Sequence, residues 1–301
     1  MDRAGCVPAP WVLGAVSFAQ FVHRVENPDT FRALAPRLHV GEPIDDTPWP
    51  IDEGRLAEAL RTFHADGYLI LERVLPPDLC DALASASEQL RAAGFPALFL
   101  FAYDEAWRAV FGVQRVLDAV LGADHGVVPD IWAWHLARGA GEHGWSVHRG
   151  LYHDVRDATG RPRFVNLWIP VTDVDPSNAC MYVVPARLDG GFPASAEVSD
   201  TDLCNARPIP APRGSVVLWS ANVLHWGGAM TAEASADRIS LSFSAHAPHA
   251  AGDVEHLAFH QRIDLLADMI LVYGHHAKDL GDAARWAQAN MTMRRLAARK
   301  R

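Results

Sequence analysis

Two hydrophobic textures follow one another along the chain. From about residue 51 to 122 apolar positions recur at helical spacing, and from about 127 to 247 they gather into short β-rich runs. In the first stretch, IDEGRLAEALRTFHADGYLIL reads as a helix with Leu56, Leu60 and Phe63 on one face. Gly67 breaks it and YLIL follows as a strand. PPDLCDALASASEQLRAAG predicts a second helix, entered through Pro and Asp and stopped by Gly94. DEAWRAVFGVQRVLDAVLG predicts a third. In the second stretch, VVPDIWAWHLA, RFVNLWIPVTDV, CMYVVPA, RGSVVLWSANVLHWGG and DRISLSFSAH are punctuated by Gly, Pro, Asp and Asn, which suggests a sandwich or jelly roll. Helical texture returns in VEHLAFHQRIDLLADMILVYG and in the basic, amphipathic DAARWAQANMTMRRLAARKR, read as a docking or solvated helix. The expectation is one domain over residues 1–301. An irregular, proline-rich segment (1–50) leads into a helical flank (51–126), a jelly-roll core (127–247) and C-terminal helices (248–301).

Composition narrows the classes of function. Of 301 residues, 50% are hydrophobic and 21% charged, an ordinary globular balance. The net charge of -9 argues against nucleic acid as the main partner, because a phosphate backbone needs a basic face. A local arginine can still hold a small anion. The longest apolar runs are too short to span a bilayer. Asp2 beside Arg3 and the early prolines do not read as a signal peptide, so a cytoplasmic protein is expected. Cys6, Cys80, Cys180 and Cys204 show no regular spacing and are expected to be free thiols.

Among fifteen histidines, His148 and His225 stand apart. Both lie at ends of β-type segments, where the mouth of a barrel would gather them. Arg238 opens the following run, RISLSFS, and alternation sets it on the opposite face from Ile239. An arginine pointing into a barrel needs an anion, and a carboxylate matches its forked geometry. Two imidazoles with open coordination positions suit iron(II), a bidentate cosubstrate and oxygen. The same residues are also compatible with two ordinary histidines and a salt-bridged arginine.

The chain resembles the phytanoyl-CoA dioxygenase family of iron(II)- and 2-oxoglutarate-dependent oxygenases. The resemblance runs through GWSVHRG, FVNLWIPVTDVDPSNACMYVVP, APRGSVVLWSANVLHWGG and RISLSFS, with DGYLILERVLPPD as an opening, over roughly residues 55–247. It implies a double-stranded β-helix, a cupin-like jelly roll buttressed by flanking α-helices. It further implies His148 and His225 as metal ligands, Arg238 on the distal carboxylate of 2-oxoglutarate, and Trp168 lining the cosubstrate pocket. Asn178 is expected to form a turn.

One position departs from the family pattern His-x-Asp, since this chain has His148-Arg149-Gly150. Three readings compete. In the first, the site resembles aliphatic halogenases that replace the carboxylate by Gly or Ala. The Gly150 gap then admits chloride, and a substrate radical takes the halogen in place of hydroxyl. In the second, the protein is a hydroxylase, with Asp154 looping in as a substitute ligand or with an Asp-to-Gly change made in the laboratory. In the third, it is a non-catalytic jelly-roll binding protein. Arg149 is expected to point outward as a surface charge, the other reading being that it draws an anion toward the pocket. Trp134, His135, Trp145 and Trp226 are expected in the core or lining a pocket, and Phe99, Phe101 and Tyr103 in a lid or substrate wall. His143, His153, His246 and His249 carry no assignment, and Asp157 reads as a solvated loop acid. The implied cofactors are iron(II), 2-oxoglutarate, oxygen and chloride, and the implied partner is a free small-molecule substrate.

Overall fold

A computed structural model describes residues 24–25, 27–139, 141–248 and 257–258, the side chains of 128–130 and 257–258 excepted. The expected C-terminal helices, His249 and Cys6 lie outside the described residues. Where the sequence reads as irregular, Pro28–Leu34 forms a helix, α1. Pro28 fits the first turn, where its missing N–H costs nothing, and Asn27 caps it by accepting from Asp29 N at 3.0 Å. Helix α2 (Glu53–Asp66) ends at Gly67, which takes φ +77° and turns the chain into strand β1 (Tyr68–Leu71). Helix α3 spans Pro77–Ala92. The third predicted helix is two, α4 (Asp104–Phe111) and α5 (Gln114–Leu121). They part at Gly112, whose carbonyl accepts from Trp49 N at 2.8 Å while the Trp49 indole fills the space a β-carbon would need.

The remaining strands are β2 (Gly126–Leu136), β3 (Phe164–Pro170), β4 (Met181–Val183), β5 (Arg207–Ile209), β6 (Val216–Ser220), β7 (His225–Gly227), β8 (Arg238–His246) and β9 (Leu257–Ala258). They form a six-stranded antiparallel sheet, β1-β6-β3-β8-β2-β9, and a three-stranded antiparallel sheet, β5-β4-β7. Strand β1 comes from the expected helical flank and supplies one edge of the larger sheet. The register of β2 shifts between Val128 and Trp132, at Pro129, which has no N–H to give to the ladder.

Alternation along the larger sheet separates two environments. Val165, Leu167 and Ile169 of β3, Val216 and Leu218 of β6, and Ile239, Leu241 and Phe243 of β8 pack in one cluster with the helices. Their neighbours Trp168, Val217 and Trp219 face the other way and pack against Met181, Val183 and Ile209 of the smaller sheet. The molecule is therefore a jelly roll with its helices outside the larger sheet. Phe99, Phe101 and Tyr103 belong to that helical packing and not to a lid. They are fully buried in and beside a 3-10 turn (Ala97–Ala102), and Phe99 stacks on Phe31 with centroids 5.9 Å apart. Among the described residues no helix is long and apolar enough to cross a membrane, and Cys80, Cys180 and Cys204 are free.

A β-carbon on Gly67 would come within 2.6 Å of Val223 Cγ2, in a backbone conformation that L-residues disfavour. We expect Gly67→Ala to lower unfolding stability by about 2 kcal/mol. A reduced urea midpoint at unchanged slope would register the loss.

Candidate metal centre

The two histidines are brought together by backbone. The segment before Gly150 runs antiparallel to β7, so His148 N donates to His225 O at 3.0 Å and His225 N to His148 O at 2.9 Å. This is a hydrogen-bonded antiparallel pair, and it places the ring centroids 4.3 Å apart. Each Nδ1 lies against a carbonyl two residues earlier, Ser146 O at 2.6 Å and Val223 O at 2.9 Å. A carbonyl only accepts, so each Nδ1 carries the proton and each Nε2 keeps the lone pair that binds metals. Burial, then the neighbouring His148, push the His225 imidazole well below its ordinary pKa, which keeps it in the neutral, ligating form.

Arg238 sits at the start of β8, 1% exposed and turned away from the helices. Its Nη1 donates to Ala179 O at 2.9 Å, and its guanidinium lies 5.3 Å from the Trp168 ring centre and 5.7 Å from that of Trp134. Ala179 holds φ +67° beside Asn178, which forms the expected turn by accepting from Asp175 N at 2.7 Å and donating to Asp173 O at 2.8 Å. Burial lowers the Arg238 pKa to about 10, so it stays charged at neutral pH. Among the described residues no carboxylate pairs with it, and its Nε has no hydrogen-bond partner. The Ser240 hydroxyl and the Trp168 and Trp219 indole N–H groups are also buried without partners among the described residues, and all belong to strand faces that look into the barrel. Ser240, Trp219 and Asn166 were not singled out in the sequence. The readable signal was parity with Arg238 and Trp168 along β8, β6 and β3.

Arg149 corrects an expectation. It is 1% exposed and points inward, bidentate to Asp189 at 2.5 and 2.8 Å, with Nε on Ser195 O at 2.8 Å and Nη1 on Asn222 O at 2.8 Å. Adjacent residues on an extended segment face opposite ways, so anchoring Arg149 orients the residues on either side. Asp154 does not turn toward the histidines. It is bidentate to Arg156 at 2.8 and 2.9 Å, which holds its carboxyl at about 2, while Asp157 binds Thr159 and the Arg161 backbone. Among the described residues no cluster of three metal-ligating side chains exists. Other expected candidates serve packing. Trp134 meets Trp145 edge-on, Trp226 stacks on Tyr182, and His135 bridges Ser87 and Asp237.

The sequence of residues 97–238 matches the phytanoyl-CoA dioxygenase family. That stretch holds His148, Gly150, Trp168 and His225 and ends on Arg238. Similar folds include the non-heme α-ketoglutarate-dependent epimerase SnoN from nogalamycin biosynthesis, at 14% identity and TM-score 0.53 over 71% of this chain and 95% of that one. The same epimerase in complex with Fe3+, α-ketoglutarate and nogalamycin RO gives 14% identity and 0.51 over 71% and 98%. AviO1 from Streptomyces viridochromogenes Tue57 gives 19% identity and 0.51 over 67% and 99%. No curated protein matches the sequence significantly. The chain thus shares the fold of these structures, and the residue two after His148 is glycine.

We expect Arg149→Ala to destabilise the fold by about 3–5 kcal/mol, because it leaves Asp189 charged, buried and unpaired. Arg156→Ala, at a part-exposed pair, should cost about 1 kcal/mol or less. Denaturant curves of the two variants measured side by side check the contrast.

Proposed function

We propose that this protein is an iron(II)- and 2-oxoglutarate-dependent halogenase acting on an aliphatic C–H of a small molecule, with chloride in place of the missing carboxylate ligand. The observation that carries the reading is the Gly150 gap. The family's carboxylate position has no side chain, and Asp154, its nearest substitute in the chain, is committed to Arg156. The residues present fit the metal. Two imidazoles are oriented through Nδ1 by backbone carbonyls, and their Nε2 atoms would hold iron. The buried, unpartnered Nε of Arg238 and the Ser240 hydroxyl beside it on the strand face fit the distal carboxylate of 2-oxoglutarate, with Trp168 as a wall. Iron bound there would supply oxygen activation, driven by oxidative decarboxylation of 2-oxoglutarate. Omitting the carboxylate removes one negative charge and opens one position, and a halide restores the first by filling the second. The acidic chain favours a free small molecule over an acidic carrier protein.

The experiment is an anaerobic titration of iron(II) and 2-oxoglutarate, followed by visible absorption with and without chloride. We expect a charge-transfer band that shifts with chloride and is lost in His148→Ala and His225→Ala. Arg238→Leu should raise the half-saturating 2-oxoglutarate by about tenfold or more, from the loss of a charge-assisted contact. Asp154→Ala should leave the band unchanged. Loss of iron in that variant would favour a hydroxylase with a substitute ligand. A wild-type band indifferent to chloride would favour oxygenation, and no band at all a non-catalytic protein.

A further inference from the structure

Three atoms lie nearest the space at Gly150. A β-carbon built there would lie 3.2 Å from Ala221 O, 3.2 Å from Asn166 Nδ2 and 3.5 Å from Ala221 Cβ. Ala221 O already accepts from Leu151 N at 3.0 Å. Asn166 Nδ2 is buried and has no partner among the described residues. A buried N–H left unsatisfied costs about as much as a lost hydrogen bond, so such a donor marks a place where an acceptor belongs. Asn166 lies on the barrel face of β3, between Val165 and Leu167, which pack toward the helices. Its Oδ1 accepts from Ser244 Oγ of the neighbouring strand at 2.9 Å, across the pair Asn166↔Ser244. With Oδ1 held by Ser244, the N–H end of the carboxamide faces Gly150.

We propose that the Asn166 carboxamide is the anion-binding donor of the Gly150 seat, oriented by Ser244, and that it sets the affinity of the site for halide. This rests on the halogenase reading and goes further by naming the residue that recognises the ion. Chloride and bromide only accept hydrogen bonds. The seat offers them the Asn166 N–H, while the nearby Ala221 O is already bonded to Leu151 N–H. A carboxylate at position 150 would compete for the same N–H, so Asn166 serves whichever anion completes the site. Ser244 is a positioning residue, acting only through the carboxamide it holds.

The test is chloride affinity, read from the absorption shift of the anaerobic iron(II)–2-oxoglutarate complex in wild type, Asn166→Leu and Ser244→Ala. We expect Asn166→Leu, a near-isostere without the donor, to raise half-saturating chloride about tenfold, and Ser244→Ala to raise it less. Half-saturating iron and 2-oxoglutarate should not move, which separates loss of the donor from general damage. Equal chloride affinity in wild type and Asn166→Leu would overturn the Asn166 assignment and leave the halogenase reading standing. A wild type that ignores chloride would overturn both. If Asn166→Leu does not fold, wild-type crystals grown with bromide decide. An anomalous peak within hydrogen-bond distance of Asn166 Nδ2 supports the assignment, and bromide elsewhere or absent overturns it.

Discussion

The site hangs on the antiparallel pairing of His148 with His225. Two backbone hydrogen bonds lock the segment before Gly150 against β7, and the imidazoles face each other because their main chains do. Much nearby follows from that pairing. Gly144 and Gly227 approach so closely that a β-carbon on either would sit 2.7 Å from the other's Cα. A side chain at either would push the two segments apart and crowd the Arg238 guanidinium. Beyond His148, Arg149 is drawn inward to Asp189, and Asn222 holds the carbonyls of Leu151 and His153. The loop after the first histidine is thus tied down residue by residue, and Gly150 lies at a fixed place beside Ala221.

Stability and chemistry are assigned to opposite faces of one sheet. The face toward the helices is apolar and closely packed. The face toward the barrel carries Arg238, Ser240, Ser244, Asn166 and two tryptophans, several with polar atoms that have no partner among the described residues. A fold built only for stability would not bury such atoms unsatisfied. Their cost is borne by the dry outer face, and their presence marks where ligand atoms are expected. Arg149 and Arg238 show the contrast. Both are fully buried guanidiniums, but one is bidentate to Asp189, and the other has no carboxylate partner among the described residues.

Much of this was legible in the sequence, for identifiable reasons. The strands announced themselves through alternation, and Arg238 could be set opposite Ile239 because parity on a strand is fixed by geometry. Helix α3 was readable from its proline entry and glycine exit. Long-range facts were not. Nothing local shows that Trp49 splits the third predicted helix at Gly112, or that a helix forms at Pro28–Leu34 among prolines. Arg149 read as an outward charge because its partner Asp189 is 40 residues away in the chain. Asn166 looked like an ordinary strand residue, since its neighbours Ser244 and Gly150 are both distant in sequence.

The claim at the centre is that an anion, and no protein carboxylate, completes the metal site. X-ray absorption at the iron edge of the anaerobic iron(II)–2-oxoglutarate complex prepared in bromide tests it most directly. We expect a heavy scatterer bound to iron in wild type and its disappearance in Gly150→Asp. A first shell of only nitrogen and oxygen in the wild-type bromide complex would contradict it.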